Sequence, residues 1–197
     1  MKTLNEQILE YGATRPEGLP ISAKELLHVA SRVAVDQALS RLARSGQLLR
    51  SGRGLYVLPI KGRFGTRTPA PEKVITEIAK RRGETIASPG VAAANALGLT
   101  TQIPMQMSYL TSGPSRRLKL GAQTIELKHA PNWQLTNANR QSGEVLRALA
   151  WKGQAEAQEA LMQIKNRLTA ETRHELIASR GTLPEWLAKT ISLELAA

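Results

Sequence analysis

The sequence predicts an α+β fold on three observations. Apolar residues keep helical spacing through the first 45 residues and give way to two short strand-like runs by residue 58. Between residues 107 and 128 they alternate at period two. From about Asn139 helical spacing returns and persists to the end, broken near Gly153, Thr169 and Arg180-Gly181-Thr182. Periods near 3.6 and 2 mark half-buried helices and strands respectively.

Leu4, Ile8 and Leu9 predict a first helix over residues 3–11, interrupted by Gly12 and by Arg15-Pro16-Glu17-Gly18-Leu19-Pro20. Ser22-Ala23-Lys24-Glu25 has the form of a capping box, which predicts a second short helix carrying Leu26 and Leu27. A third helix is expected over residues 31–45, ended by Gly46. Residues 47–50 and 55–58 then read as two strands around Ser51-Gly52-Arg53-Gly54, closed by Pro59. Three helices followed by a two-stranded ribbon is the order of a winged helix-turn-helix.

Residues 59–71, with Gly62, Gly65 and Pro69, read as a basic linker. A helix follows over 71–82, with Pro71 at its entry and bases at its exit. Ser88-Pro89-Gly90 leads a small-residue helix over 91–97, ended by Gly98. Residues 107–111 predict a strand, and 117–120 with 124–128 a hairpin around Gly121-Ala122-Gln123. The expected organisation is therefore a winged helix-turn-helix with its linker over 1–67, then an α+β domain with a helical C-terminal tail over 68–197.

Composition narrows the function. The 197 residues carry 27 Lys and Arg against 16 Asp and Glu, a net charge of +11. The excess is local: residues 31–67 hold eight bases against Asp36 alone, whereas residues 1–30 are net −1. Such a concentration predicts a polyanion-binding surface. With no cysteine, disulfides, thiolate zinc sites and Cys nucleophiles are excluded. Asp36 is the only Asp, which disfavours magnesium-dependent phosphoryl chemistry built on paired carboxylates. His28, His129 and His174 lie far apart and read as solvated or packed side chains. No catalytic residue, metal site or cofactor is expected. Short apolar runs and a start without a signal-peptide core lead to the expectation of a cytoplasmic, membrane-free protein.

At 100° per residue the third helix turns Val35, Ala38, Leu39 and Leu42 to one face and Val33, Gln37, Ser40, Arg41 and Arg44 to the other. In a major groove Arg reads guanine, Gln reads adenine, and Val touches a thymine methyl. Arg32, Val33, Gln37 and Arg41 are therefore the expected base readers, with Ser40 beside them and Arg44 on phosphate. Arg50 and Arg53 stand on the ribbon and its tip, placed for the DNA backbone or minor groove. Ser115, Arg116 and Arg117, in the turn Thr111-Ser112-Gly113-Pro114-Ser115-Arg116-Arg117, form a candidate second anion or DNA contact. Two alternatives belong to other classes. One is a winged-helix transcriptional regulator whose second domain dimerises or senses a ligand. The other is a metal-dependent nuclease using Glu84, Glu126 and Lys128, the last two as the E-x-K of Glu126-Leu127-Lys128.

Three blocks carry a resemblance. They are Leu39-Ser40-Arg41-Leu42-Ala43-Arg44-Ser45-Gly46-Gln47-Leu48-Leu49-Arg50 with Gly54-Leu55-Tyr56; Ser88-Pro89-Gly90-Val91-Ala92-Ala93-Ala94-Asn95-Ala96-Leu97-Gly98-Leu99-Thr100-Thr101-Gln102; and Tyr109-Leu110-Thr111-Ser112-Gly113. Over roughly residues 1–135 the chain resembles AbiEi-type antitoxins. That resemblance implies a bacterial type IV toxin–antitoxin system of abortive infection, a form of phage defence. It implies a transcriptional repressor that binds inverted repeats in double-stranded DNA at its own promoter, as a dimer on DNA. It further implies a nucleotidyltransferase-like toxin as functional partner, countered without a stable complex.

Overall fold

The computed structural model describes residues 2–63 and 65–195, and its fold is α+β. The chain divides into two compact units, one made of Met1–Glu84 with Arg117–Ile125, the other of Thr85–Arg116 with Glu126–Ala197.

The first unit begins with α1 (Leu4–Ala13), which ends two residues later than its apolar spacing predicts. Its start is fixed by reciprocal capping: the Glu6 N–H donates to Thr3 Oγ1 at 3.3 Å, and the Thr3 N–H donates to the Glu6 carboxylate at 2.7 Å. The second capping box also forms, but what it opens is a single 3-10 turn, Ala23–Leu26, rather than an α-helix. Ser31 caps the next helix only five residues beyond Leu26, so no room remains for a second turn and a connection. That next helix, α2 (Arg32–Arg44), ends where Gly46 takes φ +74°, letting the Gln47 and Leu48 N–H groups close on the Leu42 carbonyl at 2.9 and 3.1 Å.

Strands β1 (Leu49–Gly52) and β2 (Leu55–Val57) then pair antiparallel, Leu49 opposite Val57 and Arg50 opposite Tyr56, with an irregularity before Gly52. Ile21 adds a bridge to Tyr56, its N–H donating to the Tyr56 carbonyl at 2.6 Å. The core these elements share is Ile8, Ile21, Leu26, Val35, Leu39, Leu42, Leu48 and Tyr56, all buried. Each large aliphatic side chain placed there contributes roughly 1.5–3 kcal/mol. The expected linker is itself paired: β3 (Ile60–Gly62) and β4 (Gly65–Arg67) form a second antiparallel hairpin. The unit's remaining helix is α3 (Pro71–Arg82).

In the second unit, β5 (Ile86–Ala87) pairs antiparallel with β6 (Met107–Thr111), and α4 (Gly90–Ala96) lies between them in sequence. Strands β7 (Arg116–Leu120) and β8 (Gln123–His129), of which Arg117–Ile125 belongs to the first unit, stand with them in the strand order β5-β6-β8-β7. A short α5 (Asn132–Leu135) leads into α6 (Gln141–Lys152), α7 (Gln154–Ile164), α8 (Ala170–Ser179) and α9 (Glu185–Leu195). Residues 196–197 of the expected helical tail lie outside the described residues. Ala93 and Ala94 of α4 are buried with Val145, Leu146 and Leu149 of α6, and Leu161, Leu176, Leu187 and Ile191 complete the core.

Inside it, Arg147 is only 1% exposed, and burial pushes its guanidinium down against the raising effect of Glu144. The group donates to the Ala138 carbonyl at 3.0 Å and reaches the Gln134 carbonyl and Ser88 Oγ at 3.4 Å each. These bonds tie three chain segments to α6. Among the described residues no helix is long and apolar enough to cross a membrane.

Candidate nucleic-acid interface

The two faces of α2 separate as the sequence predicts. Val35, Ala38, Leu39 and Leu42 are buried, while Val33, Gln37, Arg41 and Arg44 are exposed on the other side. Val33 is 67% exposed. The four outward residues fall three or four apart and form one row, roughly 16 Å long at ~1.5 Å per residue. Among the described residues, Gln37, Arg41 and Arg44 have no side-chain hydrogen-bond or ion-pair partner, so their donors face solvent.

One predicted reader, Arg32, and the neighbouring Ser40 are engaged. Arg32 Nε donates to Asp36 at 2.8 Å across one helical turn. Both groups are about half exposed, and such a pair is worth well under ~1 kcal/mol, so a phosphate can replace the carboxylate. Ser40 is half-buried, and its hydroxyl lies 3.4 Å from that of Tyr56 on the ribbon. Its position on the wheel is at the border of the outer face, and here it joins helix to ribbon.

On the ribbon, Arg50 is exposed and its Nε reaches the Gly52 carbonyl at 3.4 Å; Arg53 is exposed at the tip. The division into units sharpens the charge pattern. The first unit holds 17 Lys and Arg against 8 Asp and Glu, net +9, and the second 10 against 8, net +2.

The turn before β7 is closed on itself. Thr111 Oγ1 accepts from the Gly113 N–H at 3.0 Å, and Ser112 Oγ accepts from the Thr85 N–H at 2.9 Å. Ser115 Oγ accepts from the His129 N–H at 2.8 Å. Arg116 Nη1 donates to the Pro114 carbonyl at 3.2 Å, and Arg117 is exposed. The hydroxyls that would bind an anion here already accept backbone protons. Of the nuclease residues, Glu84 lies 4.0 Å from Arg82, and Glu126 lies 3.8 Å from Lys128 on one strand. Among the described residues no group of three His, Cys, Asp or Glu is placed to hold a metal ion.

One polar cluster is invisible to local pattern. Tyr11, Arg15, Ser22 and Arg81 converge on Glu25. Arg81 Nη1 donates at 2.6 Å, Ser22 Oγ at 2.8 Å, the Ser22 N–H at 3.2 Å and Tyr11 at 3.1 Å, with Arg15 also bonded to the carboxylate. This joins α1, the 3-10 turn and α3, and holds the segment that leads into α2. Burial pushes the Glu25 carboxyl up, but hydrogen bonds from Arg81, Ser22 and Arg15 prevail and bring it from 4.5 to about 2.

A carboxyl depressed by folding stabilises the fold fully above its unfolded value, and that stability is lost as pH falls toward the folded value. Glu25→Gln is therefore expected to cost about 1–2 kcal/mol near neutral pH, after allowance for solvent screening of a partly exposed group. The gap to the parent protein should narrow between pH 4.5 and about 2. Urea titrations at several pH values measure it, and a gap independent of pH would refute the assignment.

The model of a family of unknown function, DUF6088, matches residues 7–176 of the chain. No curated protein and no solved structure gives a significant match.

Proposed function

The chain belongs to the DUF6088 family, and we propose that it is a DNA-binding repressor of its own promoter that serves as a type IV antitoxin. In this reading α1, the 3-10 turn and α2 are the helical elements of a winged helix-turn-helix, and β1–β2 is its wing. The α2 row reads bases in the major groove; Arg44, Arg50 and Arg53 position the duplex through phosphate. The observation that carries the reading is the outward α2 row of Val33, Gln37, Arg41 and Arg44 in a unit of net +9. The antitoxin role is supported by the resemblance of residues 39–56, 88–102 and 109–113 to AbiEi-type antitoxins.

Binding of a labelled duplex from the protein's own promoter, followed by fluorescence anisotropy over a range of salt, tests the DNA reading. Log affinity is expected to fall with log salt at ~0.9 per neutralised phosphate. The promoter duplex should be preferred to a scrambled one at every salt concentration. Absence of either salt dependence or preference would overturn it. Co-expression with a nucleotidyltransferase-like toxin encoded beside the gene tests the antitoxin role. Growth should be rescued although the two proteins do not co-purify, and no rescue would remove that role.

A further inference from the structure

The β3–β4 hairpin has the composition of a binding element and the packing of none. Strand β3 is half-buried only at Ile60, and every residue of β4 is exposed. Its cross-strand pairs, Ile60 with Arg67, Lys61 with Thr66 and Gly62 with Gly65, bring no two apolar side chains together. A two-stranded hairpin without an apolar face is marginal by itself, so this segment adds little to the fold. It nevertheless projects Lys61, Arg63 and Arg67 within eight residues and carries no acid.

Arg67 lies 3.9 Å from Glu17, whose closer partner is Lys73 at 3.2 Å. Among the described residues neither Lys61 nor Arg63 has a carboxylate partner. The hairpin also shares a groove with the residues that follow α2. Lys61 and Thr66 line a groove of about 860 Å³ together with Ser45, Gly46 and Gln47, directly after the last turn of α2, and with Glu10 and Glu17.

We propose that the β3–β4 hairpin is a second arm on duplex DNA, its Lys61 and Arg63 gripping backbone phosphates that flank the segment read by α2. The proposal rests on the DNA-binding reading above and adds to it a grip outside the helix and the β1–β2 ribbon. Ammonium and guanidinium groups on an exposed ribbon suit phosphate, which is common to all sequences, so the arm raises affinity without choosing the site.

The test is anisotropy of the full-length protein on promoter and scrambled duplexes across a salt series. Lys61→Ala with Arg63→Ala should flatten the salt slope by ~0.9 for each phosphate released, close to two in all. The same double variant should weaken both duplexes by similar factors, about ten- to a hundredfold at moderate salt. Lys61→Arg with Arg63→Lys, which keeps both charges, should retain the parent slope. A parent that binds salt-dependently beside an alanine pair with an unchanged slope would sink the arm and leave the DNA reading standing. An equal drop in the charge-conserving pair would also sink it, since the residues would then act through structure. A parent with no salt-dependent duplex binding would remove the DNA reading and the arm together.

Discussion

Replacing Gln37 and Arg41 together by alanine is expected to cost ~2–6 kcal/mol of discrimination between promoter and scrambled duplex. Each bidentate pairing with a base edge is worth ~1–3 kcal/mol, and separated positions add approximately. The two side chains stand one helical turn apart on the outward row of α2 with their donors turned to solvent. Removing them should therefore act on recognition and leave the buried face of Val35, Leu39 and Leu42 intact. Competition binding measures the effect: the preference should collapse by at least ~30-fold while a residual, salt-sensitive affinity for any duplex persists. Arg53→Ala at the ribbon tip should do the reverse, weakening both duplexes alike. Should Arg53→Ala alone abolish the preference, the ribbon would be the reader and α2 would not.

Gly143→Ala is expected to destabilise the second unit by about 3 kcal/mol or more. On an open helix the change would gain up to ~1 kcal/mol from propensity. Here a β-carbon would lie 2.1 Å from the Asn137 carbonyl oxygen and 2.7 Å from that of Thr136, both backbone atoms. The loop has little freedom to retreat. Asn137 sits at φ +50°, its side-chain amide donates to Ser142 Oγ at 3.0 Å, and Ser142 in turn donates to Glu175 on α8 at 2.5 Å. Gly181→Ala, where a β-carbon meets nothing within 4 Å, is the control. Calorimetry should show a drop of several degrees for the first variant and little change for the second. Equal melting of the two would mean that the loop before α6 yields freely.

The elements legible in the sequence are those that bury one face. The four buried residues of α2 follow the helical period, so its limits and its outward row are readable, as are the two strands of the β1–β2 ribbon, although β1 lies two residues later than expected and takes in Ser51 and Gly52. Ser22 and Glu25 show where such reading stops: the capping box states that a turn begins and nothing about its length. The β3–β4 hairpin escapes because its strands are held by pairing alone, leaving no alternation to detect. Its cations are visible only as part of a charge count. Strand β5 and helix α5 are too short, at two and four residues, to carry a period. The wheel misplaces Ser40 because the position of Tyr56 is a tertiary fact. The convergence on Glu25 joins partners up to 56 residues apart, which no local window spans.

The grouping of Arg117–Ile125 with Met1–Glu84 bears on how the protein is made. The first unit contributes Leu118, Leu120 and Ile125 to the buried residues of the chain, and these are translated after a 32-residue excursion into the second unit, Thr85–Arg116. Domains emerging from the ribosome fold as units in order of synthesis, but this one stays incomplete until well over half the polypeptide exists. A gene truncated just after Glu84 encodes every residue of α2 and its ribbon and still lacks nine residues of their unit. Nascent or prematurely terminated chains would therefore present an unfinished first unit, and under the proposed DNA-binding reading occupancy of the promoter would follow the supply of chains translated beyond Ile125.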